Sequence, residues 1–277
     1  MKQEKNSPEL WDKLWRRPVE AAEDLHRLQQ EEHSIRWQRI EQRVSDHFGC
    51  FRGLKVIEVG AGRGTNAALF AKRGSDVAVL DYSEVALKRS QQFFGRVGQR
   101  ARSIRANALK LPRGLRGSFD VALSFGLTEH FLGEERTAIN RCHFDLVRPG
   151  GMVLIAVPHR SNPPYRIFKF LAEMTGRWGV GEEYPYGRQE FRDICEKIGI
   201  DDYEFFGESF LQSFHFLNPF NKRLFRQLLR LGPASYKSRR YRKQRGTFLD
   251  TSLSYSLVLC GRKPTGTLAV QPCTDVA

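Results

Sequence analysis

Short apolar runs alternate with longer segments of helical periodicity through the middle of the chain. The runs occupy 55–59, 76–80, 103–106 (the weakest), 119–124 and 152–157, and the helical pattern is carried by 65–72, 83–94 and 134–146. Short runs rich in β-branched residues, separated by segments of helical pattern, are typical of parallel strands that crossover helices bury on both faces. The pattern therefore predicts an α/β fold with a doubly wound, mostly parallel sheet.

The pattern differs on both sides of this region. Residues 1–50 are polar, with a helix start at Asn6–Pro8 and apolar side chains such as Trp11 and Trp15 at helical spacing, which predicts a helical cover. After 160 the sequence predicts a helix at 189–198 and strands at 203–206 and 252–260. The predicted organisation is a cover at 1–50, a core at 51–160, an acceptor-binding region that completes the sheet at 161–262 with a basic insertion at 209–248, and a loose tail at 263–277.

Composition narrows the class of protein. The chain has 277 residues, of which 40% are hydrophobic and 27% charged, as in soluble globular proteins. Its polar start and the absence of an apolar stretch of about 18 residues predict a cytoplasmic protein. The five cysteines form no C-x-x-C pair, which favours reduced thiols over disulfides or a zinc site.

The formal net charge of +14 is concentrated in the insertion. Between Glu208 and Asp250 there are ten lysines and arginines and no acidic residue. Phe225 and Leu228 lie among these cations as in an amphipathic helix that binds an anionic membrane surface, whereas the aromatic and basic residues at 236–243 are typical of a nucleic-acid contact. A solvated face, or a loop that binds an acidic small substrate, is the third interpretation.

The first apolar run leads into three glycines at alternate positions, Gly60, Gly62 and Gly64. A dinucleotide fingerprint, G-x-G-x-x-G, would need a glycine where Thr65 stands. The G-x-G-x-G pattern instead resembles motif I of the class I S-adenosylmethionine-dependent methyltransferases. Four further segments resemble that family in the right order: Asp81 after the second run, A-N-A-L-K-L-P at 106–112, F-D-V-A-L-S at 119–124 with T-E-H at 128–130, and L-V-R-P-G-G at 146–151. The nearest resemblance is to its ubiquinone-biosynthesis-like, small-molecule group.

The resemblance implies a seven-stranded, Rossmann-like sheet, with an insertion before the last strand, that binds S-adenosylmethionine. Glu58 matches the acidic position of motif I, Asp81 is placed to accept from both ribose hydroxyls, and Asn107 stands where aspartate usually meets the adenine amino group. An alternative role for Asp81 is the N-cap of the following helix. The residues implied to bind the cofactor are Glu58, Gly60, Ala61, Gly62, Gly64, Asp81, Tyr82, Asn107, Ala108, Ser124 and Phe125.

Two histidines follow strand ends where an acceptor would meet the cofactor. His130 lies beyond the fourth run and His159 beyond the fifth, and either imidazole could remove a proton near neutral pH; packing is the alternative role of each. Tyr165, Tyr184 and Tyr186 are candidate walls of the acceptor pocket. No metal is expected, because the E-x-x-E-H pattern by which some relatives bind one has Gly126 at its first acidic position.

The sequence thus predicts a methyltransferase that acts on oxygen or nitrogen of a small organic or lipid-linked acceptor, with peripheral binding to a membrane as one expectation. An RNA methyltransferase that uses the basic insertion is the alternative, and a non-catalytic cofactor-binding protein is a third. The sequence does not specify an oligomeric state.

Overall fold

Seven strands form one sheet in a computed structural model that describes residues 8–217 and 248–265. The strand order is β3-β2-β1-β4-β5-β7-β6, in which β1 to β5 run parallel and β7 is antiparallel to both of its neighbours. The predicted doubly wound, seven-stranded sheet is confirmed. The strands are β1 Lys55–Val59, β2 Asp76–Asp81, β3 Arg102–Arg105, β4 Phe119–Phe125, β5 Val147–Pro158, β6 Tyr203–Gly207 and β7 Ser256–Arg262.

Helices cover both faces of the sheet, and each face has its own apolar core. One core joins β1 and β4 to α3, α4 and α5, and the other joins the opposite faces of these strands to α6 and α8. This double burial explains why the strand sequences are continuously apolar. The helices are α1 Pro8–Trp15, α2 Ala21–Glu32, α3 Ile35–Phe48, α4 Thr65–Lys72, α5 Glu84–Arg96, α6 Gly133–Leu146, α7 Pro163–Met174, α8 Arg188–Ile198 and α9 Phe248–Ser252.

The register of the parallel strands brings the predicted site residues to one edge. Val59 of β1 lies beside Leu80 of β2, so the glycines after β1 are next to Asp81. The order of the strands reverses between β1 and β4, which is where an open α/β sheet leaves a crevice for a ligand at its carboxyl edge. The fold therefore places the expected site residues at this crevice.

The N-terminal cover consists of three helices, α1, α2 and α3. Pro18 lies in the gap between the first two, because proline disfavours a helical conformation of the residue before it. Ser34 begins the third helix, and its side chain accepts a hydrogen bond from the Trp37 backbone N–H at 3.0 Å. The cover packs on the core, since Trp37, Ile40 and Val44 are fully buried.

Two elements differ from the prediction. α7 was not expected, although Asn162 followed by Pro163 and Pro164 is a helix-start signal: the Asn162 side chain accepts from the Tyr165 backbone N–H at 2.8 Å. The strand expected at 252–260 begins only at Ser256, because α9 occupies the preceding residues and the Ser254 hydroxyl donates to the Ser256 carbonyl at 2.9 Å in the turn between them.

Most of the basic insertion, with Phe225, Leu228 and its arginines, lies outside the described residues, as does the tail from 266. The part that is described contains a 3₁₀ helix, Leu211–Leu217, which packs on α7. Over residues 8–217 and 248–265, no helix is both long enough and apolar enough to cross a bilayer.

Candidate functional site

A cavity of about 330 Å³ opens at the carboxyl ends of β1 to β4, beneath α1. Its volume is in the range of small-molecule sites, and its walls are mainly apolar with a few polar groups, as such sites are. Predicted site residues that line it are Gly60, Ala61, Gly62, Asp81, Tyr82, Asn107, Ala108, Phe125 and His130; the other lining residues are Trp11, Trp15, Leu80, Ala106, Leu109, Gly126, Leu127 and Phe131.

The glycine loop requires glycine for steric reasons at Gly62. Its backbone φ is +50°, in the left-handed region that disfavours other residues, and an added Cβ would lie 2.2 Å from the Trp15 ring. Gly64 has a different role. It does not line the cavity that the described residues form, and it packs against Ser90 and Phe94 of α5. The lack of a side chain thus makes room for the Trp15 ring at Gly62 and for α5 at Gly64.

Asp81 fixes this loop from the next strand. Its Oδ2 atom accepts from the Gly62 backbone N–H at 3.1 Å, and its Oδ1 atom accepts from the Ser83 N–H at 2.9 Å. Burial raises the pKa of Asp81, and the backbone N–H groups oppose that rise. The N-cap of α5 is Ser83, whose side chain accepts from the Ala86 N–H, so the capping alternative for Asp81 is not what the structure shows.

Three more predicted cofactor residues have positions of their own. The Glu58 carboxylate is buried below the loop, where it accepts from the Ala67 backbone N–H at 2.8 Å at the start of α4, and burial raises its pKa to about 8. Ser124 is fully buried and, like Glu58, does not line the described part of the cavity. Asn107 does line it, and its Oδ1 atom accepts from the Leu109 N–H at 2.9 Å, which leaves one lone pair for a ligand.

The roof of the cavity comes from α1, through Trp11 and Trp15. The ring of Trp11 meets the His130 ring edge-on, with centroids 4.8 Å apart, and Asp12 accepts a hydrogen bond from the Ser83 hydroxyl at 2.5 Å. Sequence reasoning assigned these tryptophans only to a helical cover. Their spacing on one helix face was the available signal, but it cannot specify what lies beneath that face.

His130 lies in a 3₁₀ turn, Thr128–His130, beyond β4. Its Nδ1 atom is 2.7 Å from the Glu182 carbonyl, and because a carbonyl only accepts, Nδ1 carries the proton in this contact. Burial lowers the pKa of His130, so the ring is neutral at pH 7 with its lone pair on Nε2. A neutral imidazole on the cavity wall can accept a proton.

Comparison with known proteins identifies the ligand that this geometry serves. The profile of a family described as "Methyltransferase domain" matches residues 56–151. The ubiquinone biosynthesis O-methyltransferase of Leptothrix cholodnii is 31% identical over 205 residues, which cover 70% of this chain and 80% of that protein. The chain belongs to the class I S-adenosylmethionine-dependent methyltransferases. A protein of the same name from Sinorhizobium medicae is 29% identical over 203 residues, covering 70% of this chain and 74% of that protein.

Solved structures share the fold of this methyltransferase. The magnesium protoporphyrin IX methyltransferase of Synechocystis PCC 6803, crystallised with S-adenosylhomocysteine, superposes with a TM-score of 0.56 at 15% identity and covers 93% of this chain and 95% of its own. A putative sarcosine dimethylglycine methyltransferase from Galdieria sulphuraria gives 0.55 at 13% identity, covering 83% and 86%. Enzyme class and cofactor, S-adenosylmethionine, are therefore confirmed; the individual cofactor-binding residues remain predictions.

The residues present fit this cofactor. Gly62 has no side chain, so the loop backbone forms the cavity wall there, and the Asp81 carboxylate faces the same cavity, where ribose hydroxyls could donate to it. Asp81→Ala is therefore expected to weaken S-adenosylhomocysteine binding roughly 10- to 100-fold, because hydrogen bonds to a charged acceptor contribute about 1.5–3 kcal/mol. Isothermal titration calorimetry measures this Kd.

Ser34→Ala is the matched control for Asp81. It removes the N-cap of α3, at a cost of about 1 kcal/mol of stability, and Ser34 does not line the cavity, so its affinity for S-adenosylhomocysteine should stay near that of the wild type. If Asp81→Ala binds S-adenosylhomocysteine as tightly as the wild type, the Asp81 carboxylate has only a structural role.

His159, the second predicted base of this methyltransferase, is not brought to the cavity. It follows β5, only 2% of it is exposed, and its backbone N–H donates to the Tyr255 carbonyl at 2.7 Å. Burial lowers the pKa of His159 to about 4, with Arg188 adding to the shift. Its position favours the packing alternative.

The three candidate acceptor tyrosines do not line the described cavity either. Tyr165 is buried in an aromatic cluster, and its hydroxyl donates to the Glu183 carboxylate at 2.6 Å. Tyr186 is fully buried and donates to the Thr128 carbonyl at 3.1 Å, while the Tyr184 N–H donates to the Glu129 carbonyl at 2.9 Å. Tyr184 and Tyr186 thus hold the turn that carries His130, an arrangement that their spacing in the sequence did not indicate.

A group that could hold a metal ion lies behind the same turn. Glu129, His130 and Glu183 each offer a ligand atom, and these atoms lie within 4.8 Å of one another. Glu129 is buried, which raises its pKa well above the ordinary value, and among the described residues its Oε2 atom has no hydrogen-bond partner. The sequence predicted no metal because Gly126 stands where the family pattern has a carboxylate. In the structure, a carboxylate from a distant segment, Glu183, lies near Glu129 and His130 instead.

Proposed function

We propose that this methyltransferase transfers a methyl group to an oxygen of a small organic acceptor, lipid-linked acceptors included, with His130 as the base. The observation that carries the proposal is the position of a neutral imidazole on the wall of the cofactor cavity. The names of the relatives from Leptothrix cholodnii and Sinorhizobium medicae, ubiquinone biosynthesis O-methyltransferases, support oxygen as the acceptor atom.

The chemistry needs a base beside the sulfonium. When bound, S-adenosylmethionine supplies an activated methyl group; an acceptor oxygen forms its bond to that carbon as the carbon–sulfur bond breaks, and S-adenosylhomocysteine leaves. The hydroxyl proton goes to Nε2 of His130, which holds the lone pair because Nδ1 bonds to Glu182. Trp11 packs against the imidazole and helps to fix its orientation. The rest of the cavity positions the acceptor for in-line attack.

An apolar stripe on α7 supports access to a lipid-linked acceptor. Within the described residues, Ile167, Phe170 and Met174 are 49%, 61% and 70% exposed, and their spacing places them on one face of the helix. Arg166, in the first turn of α7, and Arg177, three residues after its last residue, are exposed. Exposed apolar side chains flanked by cations are typical of helices that lie on an anionic lipid surface.

Flotation with phosphatidylglycerol vesicles tests the stripe. Phe170→Ser with Met174→Ser is expected to shift the protein from the floating to the soluble fraction, since it removes apolar area at the proposed contact. Leu132→Ser, at another exposed apolar side chain, is the matched control and should still float. Flotation of the double variant at the wild-type level would contradict the α7 contact.

Transfer of labelled methyl groups from S-adenosylmethionine tests the acceptor. The protein is incubated with cell extracts divided into small-molecule, lipid and RNA fractions, and label is expected in the small-molecule or lipid fraction as an O-methyl group. Label in RNA would overturn the proposal in favour of the RNA methyltransferase. The arginines on which that alternative depends, Arg239, Arg240 and Arg242, lie outside the described residues.

A further inference from the structure

Asp24 of α2 is fully buried, and three arginines share its carboxylate. Arg89 and Arg96 of α5 approach to 2.5 Å and 2.7 Å, and the Arg63 Nε atom lies 3.4 Å from Oδ1. Burial raises the pKa of Asp24, but the hydrogen bonds from Arg89 and Arg96 outweigh it and leave the pKa below the ordinary value. The carboxylate is therefore ionised and serves as counter-charge to cations from two elements.

One of these cations belongs to the cofactor loop. Arg63 stands between Gly62, which lines the cavity, and Gly64, which packs against Ser90 and Phe94 of α5. α5 is also the helix that Asp24 holds through Arg89 and Arg96. The same carboxylate thus acts on the loop directly, and on the helix that seats it.

A loop with three glycines in five residues has to be held by its surroundings. Glycine loses more conformational freedom on ordering than any other residue, and a loop that is ordered before its ligand arrives binds more tightly. Asp81 holds the loop on the strand side, through the Gly62 N–H. On the side of the helical cover, Trp15 packs against Gly62, and the Asp24 carboxylate forms an ion pair with Arg63.

We propose that Asp24 is a positioning residue for the cofactor: through Arg63 and α5 it sets the Gly60–Gly64 loop in its binding conformation without touching the cofactor. Asp24 does not line the cavity that the described residues form. The role concerns the methyl donor only, so it does not depend on which acceptor the enzyme uses. The helical cover then contributes to cofactor affinity in two ways, through Asp24 beside the loop and through Trp11 and Trp15 over the cavity.

The test compares Asp24→Asn with Glu32→Gln in the full chain. Glu32 is a matched control on the same helix, because it pairs with Lys72 at 2.8 Å and Arg73 at 3.7 Å on the far end of α4, away from the loop. Both variants are expected to melt at lower temperature. Only Asp24→Asn should also raise the Kd for S-adenosylhomocysteine, by about tenfold, when titration is done at a temperature where circular dichroism shows both to be folded.

Arg63→Gln separates positioning from general stability. It removes the cation that the loop contributes to the ion pair, so it should raise the Kd for S-adenosylhomocysteine. Asp24→Asn should then raise this Kd much less in the Arg63→Gln background than it does in the wild type. If Asp24→Asn does not fold, Arg63→Gln decides alone. A wild-type Kd in Arg63→Gln, or full additivity of the two substitutions, would overturn the proposal and leave Asp24 a structural role.

Discussion

Gly62→Val is expected to abolish cofactor binding while the chain still folds. At a φ of +50° any side chain is strained, and the new Cβ would lie 2.2 Å from the Trp15 ring, on the surface that lines the cavity. The substitution therefore displaces the Trp15 ring and adds bulk to the cavity wall where we expect the cofactor to bind. Titration should show no S-adenosylhomocysteine binding. Ligand at 100 times its Kd stabilises a folded protein that binds it by about 2.7 kcal/mol, and the corresponding rise in melting temperature should be absent in this variant.

Gly53→Val is the matched control for backbone strain. Gly53 has a φ of +78°, yet no atom of the described residues lies within 4 Å of an added Cβ, so valine there carries the strain without changing the cavity. It should lose about 1–3 kcal/mol of stability and keep its affinity. Normal cofactor affinity in Gly62→Val would show that the cofactor does not approach this loop.

That Gly62, Asp81 and Phe125 line one cavity was predictable because it depends on a rule of the fold. Parallel strands end at one edge, so residues that follow consecutive strands, such as Gly62, Asp81 and Phe125, must meet there once the strand order is known. Strand identity in turn follows from continuous apolar runs. Short-range sequence information was enough for this part.

Contacts made by segments other than the strand ends were not predictable in the same way. Trp15 reaches the loop by the packing of a separate helix, and Glu183 approaches Glu129 from a segment that is irregular in structure. Such contacts depend on tertiary packing, for which neither residue type nor spacing is a signal. Tyr186 illustrates the converse error: an aromatic residue in a variable region suggested a pocket wall, and its hydroxyl instead bonds inward to Thr128.

His130→Ala is expected to lower kcat by about 10²- to 10⁴-fold, the usual contribution of a general base. In the wild type, burial lowers the pKa of His130 below 6.5, so the rate should be constant near pH 7 and fall only when the pH drops through that lowered pKa, where the imidazolium can no longer accept a proton. The variant should lose this acid limb. Initial rates with saturating S-adenosylmethionine, measured across pH, give both quantities.

Two comparisons decide whether His130 acts as the base. His159→Gln should retain both kcat and the acid limb, because His159 is buried away from the cavity. Each rate is also measured with EDTA, since Glu129, His130 and Glu183 could together hold a cation. If EDTA abolishes transfer in the wild type, His130 acts as a ligand and the base must be sought elsewhere; if transfer persists and only His130→Ala loses the acid limb, proton removal belongs to His130.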